Sequence, residues 1–185
     1  MNSPLYLTPK ASNLAMCLIS VCALILWLYE PKLYSDVFRF MLFPLGLVWL
    51  LQKRYILLKY FIVITAVILG IAFVCKYTFF YMANYFMDNV WVENIAHIAK
   101  RPINGEFKGF PSGHTTAAFI AAAFAWQYMS KKWGIFFIFL AFMVGYARII
   151  SLWHTPIQVC AGALLGFVGS LVFISFINKK PKVQH

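Results

Sequence analysis

Six apolar runs, separated by short polar links, dominate the hydropathy pattern of the chain. A membrane-spanning helix needs about 20 consecutive apolar residues, and in lipid its backbone polar groups must be paired within the helix itself. The pattern therefore predicts an all-α, polytopic membrane protein with six transmembrane helices, forming a single domain over residues 1–185. The six runs cover residues 13–29, 37–51, 56–75, 114–129, 133–146 and 156–177.

One longer stretch, residues 76–113, interrupts the apolar pattern between the third and fourth runs. Its first part is rich in aromatic residues, among them Tyr77, Tyr81 and Trp91. Aromatic rings with a polar edge concentrate at the membrane–water boundary. We therefore expect residues 77–98 to form a helix that lies in the interface, within a long loop on the outer side.

The composition agrees with a membrane protein and excludes an ordinary soluble domain. Of the 185 residues, 63% are apolar and 11% are charged, whereas soluble domains are nearer half apolar and a quarter charged. The four cysteines show no metal-type spacing, and buried thiols usually behave as small apolar side chains. We therefore expect neither a soluble fold nor a metal-binding cysteine cluster.

The basic residues fall into two groups once six crossings are assumed. The chain carries 16 Lys and Arg against 5 Asp and Glu, a net charge of +11. The side that receives both termini holds the larger share of the basic residues and none of the acidic ones. Because positive loops stay in the cytoplasm, we expect cytoplasmic termini, with residues 76–113 outside. The charge thus indicates topology and anionic headgroups rather than a nucleic-acid partner.

Three short stretches of polar residues lie at the outer ends of the apolar runs. They are residues 100–102, with the sequence Lys-Arg-Pro, residues 111–114, with the sequence Pro-Ser-Gly-His, and Arg148 followed by His154. Ionisable residues at membrane depth are costly and are functional candidates by default. We therefore expect the functional site in these three stretches.

The stretch at residues 111–114 has the features of an anion site at a helix start. Ser112 is a good N-cap residue, and the free N–H groups and dipole of a helix start favour a phosphate oxygen. His114, in the first turn, can reach the same anion. Arg148 can bind phosphate with two parallel hydrogen bonds, and His154 can act as a nucleophile or as an acid–base group. These residues predict a phosphate site with a nucleophile and a proton donor.

Taken together, the three stretches resemble the signature of the type 2 phosphatidic acid phosphatase superfamily, whose members work through a phosphohistidine. That signature is Lys, six residues, Arg-Pro; then Pro-Ser-Gly-His; then Ser-Arg, five residues, His, three residues, Asp. Residues 111–114 complete the second part, and residues 101–102 keep the Arg-Pro of the first. Arg148 and His154 keep the spacing of the third. The resemblance covers about residues 56–177, which it implies are the catalytic core.

The resemblance also implies a role for each site residue. His154 would attack the phosphorus and form the phosphohistidine, and His114 would protonate the leaving lipid oxygen. Water would then release phosphate, with no metal and no cofactor needed. The phosphoryl oxygens and the charge of the transition state would be held by Arg101, Arg148 and the backbone at Ser112 and Gly113.

The chain departs from the signature at three positions. The Lys of the first part falls at Asn94, and Lys100 or Lys108 is the expected substitute. The Ser of the third part falls at Ala147. The Asp that would orient the nucleophilic imidazole falls at Gln158, which can accept the same hydrogen bond but carries no charge.

The function implied by the resemblance is removal of a phosphate or pyrophosphate group from a membrane lipid, at the periplasmic face of a bacterial inner membrane. Residues 147–149, 154–155 and 162–166 look similar to bacterial members that remove the 1-phosphate of lipid A. Undecaprenyl pyrophosphate and phosphatidylglycerol phosphate are further candidate substrates. The expected partners are the membrane and a lipid phosphate, with no obligate protein partner. Two alternatives stay open: phosphate transfer to a lipid acceptor at the same site, and a non-catalytic lipid-binding or transport protein.

Overall fold

The structure is a computed structural model that describes residues 9–86 and 88–179, and every regular element in this part of the chain is helical. The all-α prediction is confirmed. A 3-10 turn, Arg39–Met41, joins the second helix to the third. The helices are α1 (Pro9–Tyr29), α2 (Pro31–Phe38), α3 (Leu42–Leu51), α4 (Tyr55–Tyr85), α5 (Val90–His97), α6 (Gly113–Tyr128), α7 (Lys131–Ile150) and α8 (Pro156–Lys179).

Within the described residues, five helical segments are long and apolar enough to cross a membrane. They confirm a multi-pass membrane protein. Helix α6 corresponds to the fourth apolar run, but at 16 residues it is shorter than these five segments, so the count of six crossings stays a prediction. The five segments are residues 10–29, 31–51, 55–85, 131–150 and 156–178.

Helix α6 forms the centre of the bundle and packs against α7 on one side and α8 on the other. It is rich in Ala, and residues 115–118 and 120–125 are all buried. Helix α8 approaches it closely through Gly162 and Gly166, where an added Cβ would collide with the backbone carbonyls of Ser112 and Thr116. Because small residues let helix backbones come together, the start of α6 is held firmly against α8.

The bounds predicted for the helix over residues 77–98 are wrong. Residues 77–85 continue α4, which is 31 residues long, and the eight-residue α5 begins separately at Val90. No Gly or Pro ends the helix after the apolar run, so α4 extends about 46 Å, well beyond the roughly 30 Å hydrocarbon core. Asn89 then begins α5, since its side-chain oxygen accepts the backbone N–H of Trp91 at 2.9 Å.

Helix α2 begins earlier than the apolar pattern predicts, directly after α1. Pro31 stands at its first position, where the missing N–H costs nothing. Tyr34 and Phe38 bury one face of this short helix. The Tyr34 hydroxyl donates a hydrogen bond of 3.0 Å to the carbonyl oxygen of Leu140, which anchors α2 on α7.

The starts of α1 and α7 lie together, at the end of the bundle opposite the start of α6. Lys132 donates a hydrogen bond of 2.6 Å to the side-chain oxygen of Asn13. The indole N–H of Trp133 donates one of 2.9 Å to the Ser12 hydroxyl. The amino-terminal helix and the α6–α7 link therefore share one side of the protein, as the sorting of charges assumed.

Candidate active site

Two of the predicted arginines meet at Trp153, at the end of the bundle where α6 begins. Arg148 lies in the last turn of α7, and its guanidinium is 4.9 Å from the centre of the Trp153 ring. Arg101, in the segment between α5 and α6, lies 5.6 Å from the same ring. Trp153 directly precedes His154 in the chain but matches no position of the signature. Its ring brings the first and third polar stretches into one site.

Gln158 fixes the orientation of the His154 ring. Gln158 Oε1 lies 2.9 Å from His154 Nδ1 and also accepts the backbone N–H of Thr155 at 3.2 Å. Its Nε2 donates to the carbonyl oxygens of Ile98 and Lys100, both at 2.9 Å. Because these two carbonyls require the amide nitrogen, the amide oxygen faces the histidine. Nδ1 therefore carries the proton, and Nε2 keeps its lone pair.

Burial keeps the His154 imidazole neutral. The residue is 2% exposed, and loss of hydration is the main reason why its pKa falls from 6.5 to about 3. The hydrogen bond with Gln158 opposes this fall, and the positive charges of Lys76, Arg148 and Arg101 add to it. A ring that is neutral at cellular pH offers a free Nε2 lone pair, which is what a nucleophile needs.

Gly109 leaves the space that the Gln158 amide occupies. An added Cβ would lie 2.5 Å from Gln158 Oε1 and 2.7 Å from the carbonyl oxygen of Ala99. We expect Gly109→Ala to displace the amide and the His154 ring, and to lower kcat by about 100-fold, as steady-state kinetics would measure. Gly70→Ala is the control, because nothing lies within 4 Å of its added Cβ. Equal rates in the two variants would show that the packing is not needed.

His114, at the start of α6, contacts two residues that the sequence analysis did not predict. Its Nε2 lies 2.9 Å from Asp36 Oδ1 and 2.9 Å from Arg39 Nη1. Asp36 Oδ1 also accepts a hydrogen bond of 3.4 Å from Arg148 Nη1. The sequence signal for these two residues was their spacing, because Asp36 and Arg39 are three residues apart and such residues share one face of a helix. The site thus reaches into the segment around α2.

Lys76 is the cation that the structure places at the start of α6. Its Nζ lies 3.4 Å from the position that a Cβ on Gly113 would take. The two lysines expected to replace the missing signature Lys have other neighbours. The Lys100 ammonium lies 5.9 Å from the centre of the Phe107 ring, and the Lys108 ammonium lies 4.1 Å from that of Phe80. We missed Lys76 because it closes an apolar run far from the signature.

Ser112 is the N-cap residue of α6, as predicted, but its hydroxyl and its backbone N–H both have other partners. Its hydroxyl makes no capping bond to a backbone N–H and instead accepts the Thr115 hydroxyl at 3.0 Å. Its backbone N–H donates to the carbonyl oxygen of Gln158 at 2.9 Å. That N–H is therefore not free for a phosphoryl oxygen. The amides of Gly113, His114 and Thr115 have no partner within the helix, so they are the backbone donors left for an anion.

Several guanidinium groups at the site carry unused donors. Among the described residues, the Nε atoms of Arg39, Arg101 and Arg148 are buried and have no hydrogen-bond partner. Arg101 is held by Glu106, whose carboxylate accepts from Nη1 at 3.2 Å. Buried donors of this kind are costly unless a ligand satisfies them. A tetrahedral oxyanion would satisfy them and balance their charge.

Comparison with known proteins agrees with this arrangement. The PAP2 superfamily matches residues 59–182. Lipid A 4'-phosphatase of Helicobacter pylori is 30% identical over 172 residues, which cover 86% of this chain and 82% of that protein. Probable lipid phosphate phosphatase 4 of Arabidopsis thaliana is 31% identical over 97 residues, 44% of this chain and 32% of that protein.

A third relative is the bacitracin transport permease protein BcrC of Bacillus licheniformis. It is 41% identical over 76 residues, which cover 41% of this chain and 36% of that protein. The chain therefore spans about a third of this protein and of the plant relative, but most of the H. pylori enzyme. No solved structure matches the chain. The family match, the helical membrane fold and these relatives together identify the chain as a lipid phosphatase that belongs to the PAP2 superfamily.

Proposed function

We propose that the protein removes a phosphate group from a membrane lipid at the periplasmic face, through a phosphohistidine on His154. The observation that carries this proposal is the hydrogen bonding of Gln158, which leaves the Nε2 lone pair of a neutral His154 free for attack. His114 protonates the leaving lipid oxygen. In the second step, water attacks the phosphorus and His154 is released with inorganic phosphate.

The cations around His154 bind the phosphoryl group in this proposal. Arg101 and Arg148 donate to its oxygens, and Lys76 together with the Gly113 amide stabilises the charge that develops in the transition state. These groups are already in place, since Arg101 and Arg148 both lie over the Trp153 ring and Lys76 lies beside Gly113. Such a preformed cationic site needs little rearrangement when the phosphate arrives.

A phosphate of lipid A is the leading candidate substrate. The relative that aligns with most of the chain is named for removing the 4'-phosphate, whereas the sequence pattern pointed to enzymes of the 1-phosphate. Both positions should be tested, with undecaprenyl pyrophosphate and phosphatidylglycerol phosphate as further lipids. Two of these relatives are bacterial, and the inner membrane of bacteria is the location that we propose. The charge bias of the links supports cytoplasmic termini and a periplasmic site.

The test is phosphate release from these purified lipids by wild type and by His154→Ala. We expect the variant to lose activity by about 1000-fold or more, because it lacks the imidazole that forms the covalent intermediate. His97→Ala is the matched control, since His97 is half-exposed and faces Glu93, at 3.7 Å, outside the site. Wild type quenched in alkaline denaturant should carry phosphate on histidine, because the N–P bond is labile in acid but survives in alkali.

Other results of this experiment would support other functions. Equal release by wild type and His154→Ala would remove the phosphatase mechanism. Lipid binding without any release would favour the non-catalytic lipid-binding or transport alternative. Formation of a new phospholipid in place of free phosphate would identify a phosphotransferase that uses the same phosphohistidine.

A further inference from the structure

Asp36 and Arg39 reach the site from a part of the chain that the family match does not include. The match begins at residue 59, whereas α2 and the following 3-10 turn span residues 31–41. The superfamily signature names no residue in this segment. Both side chains nevertheless contact Nε2 of His114, the proposed proton donor.

The two contacts require different protonation states of the same nitrogen. A carboxylate can only accept a hydrogen bond, so Asp36 at 2.9 Å needs a proton on His114 Nε2. A guanidinium can only donate, so Arg39 at 2.9 Å needs a lone pair there. A proton donor passes through both states in each catalytic cycle, and the structure supplies one partner for each.

The Asp36 carboxylate is held by Arg148 and by the docking of the helix that carries it. The Arg148 Nη1 donates to its Oδ1 at 3.4 Å and to the Ser35 hydroxyl at the same distance. Tyr34, one residue earlier, is 1% exposed and ties the helix to α7 through its hydroxyl. The position of the carboxylate therefore follows from the docking of α2 and is not set by a flexible side chain alone.

We propose that Asp36 is a positioning residue that keeps the proton on Nε2 of His114 until the leaving oxygen takes it, and that Arg39 then binds the deprotonated ring. The proposal rests on the phosphohistidine function proposed above. It also accounts for the absence of the signature Asp at position 158, where this chain has Gln. The signature places an Asp beside the nucleophilic histidine, but here the acid lies beside the other histidine.

The two chemical steps balance with this assignment. In the first, the His154 Nε2–P bond forms, the P–O bond to the lipid breaks, and the Nε2 proton of His114 moves to the leaving oxygen. In the second, water attacks the phosphorus, the N–P bond breaks, and one proton of the water returns to Nε2 of His114. The Asp36 carboxylate accepts the hydrogen bond from Nε2 whenever the His114 ring is protonated, before the first step and after the second.

The test compares two small substrates that differ in their need for a proton donor. The leaving group of 4-nitrobenzyl phosphate is an alkoxide, which needs a proton. The leaving group of 4-nitrophenyl phosphate is a stabilised phenolate, which does not. General acid catalysis contributes about 100- to 10,000-fold. We therefore expect Asp36→Asn to lower kcat about 10- to 100-fold on the benzyl ester, but less than about 3-fold on the phenyl ester.

Two further variants separate this role from a structural one. His114→Ala should show the same dependence on the leaving group, and the double variant Asp36→Asn/His114→Ala should be no slower than His114→Ala alone. Glu30→Gln is the control, because it removes a carboxylate just before the same helix, where that side chain makes no capping bond. It should leave both rates unchanged.

The results that would overturn the proposal are specific. Equal losses on both esters would mean that Asp36 only supports the fold. A lower KM with an unchanged or higher kcat would mean that its carboxylate occupies the phosphate position and competes with substrate. Additive losses in the double variant would show that Asp36 does not act through His114. Activity that persists in His154→Ala would instead overturn the proposed function itself.

Discussion

Gln158→Glu is expected to lower kcat by about 100-fold or more, although glutamate and glutamine have almost the same shape. The amide nitrogen of Gln158 donates to the carbonyl oxygens of Ile98 and Lys100 at 2.9 Å. A carboxylate oxygen in its place would meet two acceptors in a site with no exposed surface at this residue. The side chain must then move or bind a proton, and either change releases the His154 ring.

Steady-state kinetics across pH, together with thermal unfolding, would measure this effect. Gln127→Glu makes the same chemical change at an exposed position near the far end of α6 and should have no effect on kcat. A Gln158→Glu enzyme that is faster than wild type would contradict the prediction. It would mean that the missing charge beside the nucleophile limits the reaction, and that the two carbonyls adapt to a carboxylate.

The second large effect is expected for Lys76→Met. The ammonium of Lys76 lies at the start of α6, beside Gly113, and its charge acts on His154 together with those of Arg101 and Arg148. Removal of one preorganised donor to a developing oxyanion costs about 100- to 1000-fold. We expect kcat/KM to fall by that factor, because the dianionic transition state loses one of its cations.

The lysines that the sequence favoured provide the controls for this experiment. Lys100→Met and Lys108→Met remove the same charge from side chains whose ammonium groups lie over Phe107 and Phe80. Each substitution should lower kcat/KM by less than about 5-fold, because it weakens only the overall positive electrostatic potential of the site. A loss in either that matches the loss in Lys76→Met would show that the signature Lys is replaced from the loop. The midpoint temperature of thermal unfolding of Lys76→Met should not be lower than that of wild type in the absence of phosphate. The substitution relieves repulsion between neighbouring cations.

The sequence predicted those parts of the site that depend on spacing within one segment. His114 follows Pro-Ser-Gly at a helix start, and Arg148 and His154 flank a single link, so a short pattern identifies all three. The apolar runs likewise predicted the helices of the bundle. These features depend on residues close in the chain, and their physical reasons are local.

The remaining parts depend on how distant helices pack. Asp36 and Arg39 reach His114 because α2 docks on α7 through Tyr34, and no pattern near His114 indicates this. Lys76 enters the site because α4 continues past the apolar run, where nothing in the sequence ends it. The bounds of the helix predicted for residues 77–98 were wrong for the same reason. The aromatic residues indicated the interface, but aromatic content does not decide where a helix breaks.

The hydrogen bonds of Gln158 have a consequence for engineering this enzyme. One side chain joins the nucleophile to the carbonyl groups at residues 98 and 100, and Gly109 provides the room for it. Residues 98–109 and residue 158 must therefore be exchanged together when parts of this enzyme are replaced by those of a relative. A chimera that takes this segment from a relative with Asp at the equivalent position should fail unless residue 158 is exchanged with it, and the paired exchange should recover activity where each single exchange does not.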